Sequence, residues 1–366
     1  MDSTHEKICG CNEGEIEKMI TDRELARYIS SNLHLYLADE DKPVECKVVD
    51  VSKNNGGTVA GVQILMHGVD HGPVISMETI RGLLDIGMPR EEVMKNIAEL
   101  VHKEENIILL NKFDPEDYQS MKDYLSVMVI NTDANKEALE NLPHKETEDL
   151  SIISYINVPE DAGIGNGIIK VTKGLMNIWN ISETELFAEA EKNSSLINPP
   201  ALFNVKKMIF KNDQRNYLTE SIPSPSIPLN GLYPEMYVLT NTQKVFGASV
   251  IVNTDVMDRI CDIFPEGFTI IPSSIHEVMI VPGEDHDRYQ ELGEMVRSVN
   301  MTSAVSPEEV LSDRVYTYDR NSKSIHQVDE SMYDKNCEQP EFKQSKSGMA
   351  QNNGLVYKEK QVDIEI

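Results

Sequence analysis

At 366 residues the chain exceeds the usual size of one domain, so two lobes with tails are expected. Its 40% hydrophobic and 26% charged residues are those of an ordinary soluble globular protein. The net charge of -27, from 61 acidic against 34 basic residues, repels phosphate backbones, so nucleic acid is not an expected partner. No run approaches the roughly 18 apolar residues of a membrane span, which argues against the membrane.

The N-terminal residues MDSTHEK carry neither the basic start nor the apolar stretch of a secretory signal, so a cytoplasmic location is expected. Cys9, Cys11, Cys46, Cys261 and Cys337 are odd in number and scattered, which suits reduced thiols rather than a disulfide framework. Residues 1–20 are polar and Glu-rich and read as a flexible acidic arm. Thr21-Asp-Arg-Glu24 then forms a capping box, and Leu25, Tyr28, Ile29, Leu33 and Tyr36 follow at helical spacing. Two β-rich runs, 44–51 and 58–66, flank Asn54-Asn-Gly, whose residues tolerate the positive backbone angles of a tight hairpin.

Helical pattern resumes after Pro73 and again after Pro89. Asp114-Pro-Glu-Asp117 is a further start signal, with Tyr118, Met121, Leu125 and Met128 as its stripe. The alternation of residues 149–158 predicts a half-buried strand. Gly163–Gly167 reads as a loop, 168–171 as a strand, and Ser182-Glu-Thr-Glu185 as a second capping box. Residues 211–235 lose all periodicity and gain proline and serine, which suggests a linker.

The segment 236–320 reads strand, strand, helix, strand, strand, helix. Tyr237–Leu239 is expected to pair with Phe246–Val252, and Phe268–Ile271 with Val278–Val281. Helices from about 254 and 287 are expected to cover one face of the sheet. Ser306-Pro-Glu-Glu309 is the cleanest helix start in the chain. The expected class is α+β, with an N-terminal lobe at 21–210, the linker at 211–235, a second lobe at 236–320 and a disordered polar tail at 321–366.

Several stretches resemble one family: NTDANK at 131–136, LPHK at 142–145, DLSI at 149–152, and MYVLTN, FGAS, IIPSSIHEVMIVP, EMVRSVN and LSDRVYTYD in the segment 236–320. The family is a bacterial domain of unknown function common in gut-dwelling anaerobic Firmicutes, and the similarity spans roughly residues 22–320. It implies a cytosolic α+β protein and supplies no activity, cofactor or catalytic residue.

Candidate chemistry is sparse. His67 and His71 have the spacing of a helical metal pair, but Gly68, Gly72 and Pro73 oppose a helix, so no metal is expected. The glycines of 163–167 lack the Lys-Ser/Thr that a phosphate loop requires. Ser273-Ser274-Ile-His276-Glu277 carries the residue types of acyl transfer. Ser274 and His276 would share one side of an extended chain, with Asp313 as a carboxylate supplied from elsewhere. No glycine-flanked nucleophile elbow surrounds either serine.

Two functions are therefore expected. The first is a cytosolic non-catalytic interaction or accessory protein, free of cofactors and binding a protein partner through Ser273, Ser274, His276 and Glu277. The alternative is a serine-type hydrolase using Ser274, His276 and Asp313. On the first reading, replacing His276 and Glu277 by alanine leaves stability nearly unchanged.

Overall fold

A computed structural model of the protein describes residues 20–37, 44–66, 74–102, 114–158, 167–211, 213–219, 235–284, 288–302 and 304–328. His67 and His71, and the glycine loop up to residue 166, lie outside them. Helices flank three antiparallel sheets, which makes the protein α+β.

The first sheet belongs to an N-terminal unit. Helix α1, Asp22–Asn32, opens on the expected capping box: Thr21 takes the Glu24 amide, and the Glu24 carboxylate takes the Thr21 amide at 2.7 Å. Its buried face of Leu25, Ala26 and Ile29 lies against β1 (Val44–Ser52) and β2 (Thr58–Met66). Each large apolar side chain buried there contributes about 1.5–3 kcal/mol. The hairpin turns at Asn55, whose φ of +57° is a conformation asparagine tolerates well. Strand β3 (Val74–Ser76) completes the order β1-β2-β3, and α2 (Met77–Asp85) and α3 (Arg90–His102) close this core.

The second sheet has β6 at its centre. Strands β4 (Leu125–Asn131) and β5 (His144–Thr147) flank β6 (Leu150–Asn157), and β7 (Ile168–Lys170) also pairs with it. Two expectations fail here. The helix started by Asp117 lasts one turn, Tyr118–Met121, and Leu125 to Met128 belong to a strand. The run Leu125-Ser-Val-Met-Val-Ile is buried at every position, so burial on both faces overrides a fourfold apolar spacing. Strand β6 is likewise buried on both faces rather than one.

Helices α4 (Lys173–Trp179) and α5 (Glu183–Ile197) follow, the latter on its predicted Ser182 capping box and packed on β4. The third sheet contains β8 (Pro200–Asn204), β9 (Tyr237–Asn241), β10 (Phe268–Ser274), β11 (Glu277–Pro282), β12 (Tyr316–Asp319) and β13 (Ser324–Gln327). Their order is β13-β12-β10-β11-β9-β8. Helices α6 (Val205–Lys211), α7 (Thr254–Ile263) and α8 (Tyr289–Asn300) complete the described elements of this part.

Four features differ from expectation. Gly247–Val252 is a 3-10 helix, not a strand, so β9 pairs with β11 and β8 instead. Helices α7 and α8 cover opposite faces. Ile270 and Ile280 point into the main core with Met257 and Ile260 of α7, whereas Ile271 and Val281 pack with Leu292 and Val296 of α8. Ser306-Pro-Glu-Glu makes only one 3-10 turn, Pro307–Glu309. Finally, structure continues past Arg320, because β13 pairs with β12 from Tyr316↔Gln327 to Asp319↔Ser324.

The cores follow the sheets. One cluster lies within residues 25–98, and a larger one runs from Met121 to Ile325, joining residues on both sides of 211–235. Strand β8, before that segment, is hydrogen-bonded to β9, after it. Within it, Tyr217 is buried and its amide donates to the Leu202 carbonyl at 2.9 Å.

Candidate functional site

The Ser273–Glu277 stretch is the turn between β10 and β11, and its polar groups are spent on the fold. Ser274 Oγ accepts the His276 amide at 3.1 Å, a local turn bond. Thr240 Oγ1 donates to the His276 carbonyl at 2.8 Å. The Phe246 amide donates to His276 Nδ1 at 3.1 Å, which makes Nδ1 an acceptor and places the neutral ring's proton on Nε2. That nitrogen faces Glu309 Oε1 at 3.5 Å. Both ring nitrogens are thus engaged, and neither faces Ser274 as a base.

The stacked ring of Phe246, 5.4 Å from that of His276, shares this arrangement. Phe246 sits at φ +50°, an uncommon angle for a bulky residue, so its anchoring by His276 holds a strained backbone. Gly247 follows because no side chain fits: a Cβ there would lie 2.2 Å from Thr240 Oγ1 and 2.6 Å from the His276 carbonyl oxygen. Asp313, the carboxylate named from sequence, instead accepts from Asn300 Nδ2 of α8 at 2.8 Å. The bond from His276 holds the Glu309 carboxyl below its ordinary range, while burial pushes that of Glu277 up.

The acid–base–nucleophile order appears elsewhere, on the β12–β13 hairpin. Ser324 Oγ lies 3.0 Å and Ser322 Oγ 3.1 Å from His326 Nε2, and the two hydroxyls are 2.7 Å apart. Glu148 Oε1, from the β5–β6 turn, is 3.4 Å from His326 Nδ1. The Ser-x-Ser-x-His spacing at 322–326 was a legible signal, since alternate residues of a strand share a side. Glu148 carried none, being brought in by tertiary packing.

A cavity of about 230 Å³ opens where β4 and β6 meet the end of α5, the 3-10 segment and the start of α7. Ser194 Oγ at its wall contacts Ser126 Oγ at 2.8 Å and accepts the Val127 amide at 2.8 Å. Asn253, which caps α7 through the Val256 amide, donates to Ser195 Oγ at 2.8 Å. Buried Tyr155 hydrogen-bonds Ser126 and Asn198, and burial raises its phenol to about 12. Sequence reading missed these residues, which lie far apart in the chain as ordinary polar caps and strand positions.

Among the described residues no group of three or more His, Cys, Asp or Glu side chains is placed to hold a metal ion, and no helix is long and apolar enough to cross a membrane. The three sheets, the self-engaged turn and the polar cavity define an α+β protein. The chain belongs to a family of unknown function, DUF5688, whose model matches residues 23–320. No curated protein and no solved structure matches it.

Proposed function

We propose that this chain is a non-catalytic interaction or accessory protein of the cytoplasm. The observation that supports this best is the engagement of both His276 ring nitrogens by Phe246 and Glu309, which removes the base from the polar stretch richest in catalytic residue types. The same bonds make Ser273–Glu277 a poor docking surface, since its groups already have partners inside the fold. The partner surface is better assigned to β1. Among the described residues it is a nine-residue edge strand paired on one side, with β2, and it exposes Glu45 and Lys47 in alternation with the half-buried Cys46 and Val48. An extended segment of a partner protein would add to such an edge by backbone hydrogen bonds.

The test is a pull-down from the native host followed by cross-linking and mass spectrometry. Partner cross-links at Lys47 are expected. Recovery of a partner whose cross-links all fall elsewhere would reject the β1 assignment, and an active-site label on the chain would reject the non-catalytic reading.

One arrangement favours a second reading, a serine-type hydrolase built on Ser324, His326 and Glu148 rather than Ser274, His276 and Asp313. In it the Ser324 oxygen would attack a carbonyl carbon while its proton passes to His326 Nε2 and then to the leaving group. Water would next release the acyl group by the same relay. A fluorophosphonate probe separates the two readings. Labelling abolished by Ser324→Ala and His326→Ala would establish the hydrolase, and an unlabelled chain supports the interaction protein.

A further inference from the structure

We infer that the cavity between β4, α5 and α7 is a binding site for a small uncharged polyhydroxyl molecule of the size of a single sugar ring. The inference goes beyond the non-catalytic reading and does not depend on which surface meets a partner.

Charge comes first. Glu191 is the charged residue among those lining the cavity, and its carboxylate accepts from Lys145 Nζ at 2.7 Å. The Lys145–Glu191 pair is neutral as a unit, so an anionic ligand would meet the Glu191 carboxylate beside any ammonium it reached, and a cationic one would compete with Lys145 for that carboxylate. Desolvating either without a counter-charge is costly, so the site suits a neutral guest.

The wall offers hydroxyls and amides in fixed positions. Ser194 is held by Ser126 and the Val127 amide, and Ser195 by Asn253, which is itself fixed as the cap of α7. A serine hydroxyl has one donor and two acceptor positions, so Ser194 keeps one position after its two bonds and Ser195 two after its one. Thr254 and Asn198 add a hydroxyl and a buried amide. Because these groups are already oriented, a ligand loses little in ordering them.

Size and the remaining lining narrow the class. Val127, Pro200, Val250 and Val252 line the cavity together with its hydroxyl-bearing residues, a mixed lining that suits a ring with C–H faces and an O–H rim. The cavity of about 230 Å³ is smaller than the roughly 300–1,000 Å³ of drug-sized pockets, and suits about a dozen heavy atoms. Its occupant would touch β4, α5 and α7 together and so tie the second sheet to the third.

The experiment uses the full chain and ligand-observed NMR with glucose, galactose, mannose and myo-inositol. Glucosamine and glucuronate serve as cationic and anionic controls of the same frame. At least one uncharged probe should bind saturably and raise the melting temperature, with the charged controls silent. Thr254→Val, which keeps shape and removes one hydroxyl, should weaken binding about fivefold, the effect of one ordinary hydrogen bond. Val252→Phe should fill the space and abolish binding while the chain still melts cooperatively. Silence of all four uncharged probes, preference for a charged control, or binding unchanged in a folded Val252→Phe protein would overturn the proposal. Fluorophosphonate labelling, which tests the non-catalytic reading, is independent of each of these outcomes.

Discussion

At the scale of single residues, the decisive side chain is His276, and its surroundings reverse the expectation that it is dispensable. Its ring satisfies the Phe246 amide, faces the Glu309 carboxylate and stacks on Phe246. His276→Ala leaves that amide unpaired at a strained turn and should cost about 2 kcal/mol, read as a lower urea midpoint with unchanged slope. The neighbouring carboxyls titrate in opposite senses. Glu309 has a lowered folded pKa, so its stabilisation is present above the ordinary carboxylate range and is lost as pH falls through the folded value. Glu277 has a raised one, so the fold favours its neutral form and stability declines as pH rises through the folded value. Glu277→Gln should therefore match or exceed the parent chain in stability near neutrality. In urea titrations from about pH 2 to about pH 8 it should lose the decline and keep the acid-side loss due to Glu309, which falls below the ordinary carboxylate range.

At the scale of elements, local signals were read well where a cap or turn acts alone and poorly where burial or distant donors decide. Both capping boxes, at Thr21 and Ser182, start helices as predicted, and Asn54-Asn-Gly turns the first hairpin. Phe246–Val252 has strand composition yet winds as a 3-10 segment, because Gly247 must sit against Thr240 and the His276 carbonyl. Leu125 and Met128 keep helical spacing inside a strand because every residue from 125 to 130 is buried. The candidate chemistry was less legible. Ser274, His276 and Asp313 were visible by residue type, but their partners were not, and those partners determine their roles. Asn55 shows the same dependence: its amide donates to Asn135 Oδ1, and its side chain donates to the Pro307 and Val310 carbonyls. Asn55→Ala loses these side-chain bonds and the tolerance for a positive φ. Amide exchange should then rise across residues 22–98, the unit this turn anchors, while β4 and β6 stay protected.

At the scale of the whole molecule, the polar segment 211–235 and the division between cores fall at different places in the chain. The larger core joins residues from Met121 to Ile325, and the β8–β9 ladder bridges the segment. We expect limited proteolysis to cut within 211–235, where the sequence lacks apolar periodicity. The two fragments should nevertheless elute together from gel filtration in native buffer and separate only in denaturant. Fragments that part without denaturant would show that the ladder and the shared core do not hold them. The N-terminal unit is hydrogen-bonded to the rest of the chain where the Asn54–Asn55 turn reaches Asn135 and residues 307–310, beside His276.

Every carbonyl from Pro307 to Val310 is taken by a donor from far along the chain: Asn55 holds those of Pro307 and Val310, Asn54 that of Glu308, and the Ile275 amide that of Glu309. These are the oxygens through which a helix started at Ser306 would propagate. We expect the segment to favour a helical turn until the hairpin, more than 250 positions earlier, arrives. A peptide of residues 304–316 should show more helix by circular dichroism than the single turn it keeps in the native chain. In refolding, release of that transient helix should coincide with docking of the N-terminal unit, placing this junction among the last parts of the molecule to settle.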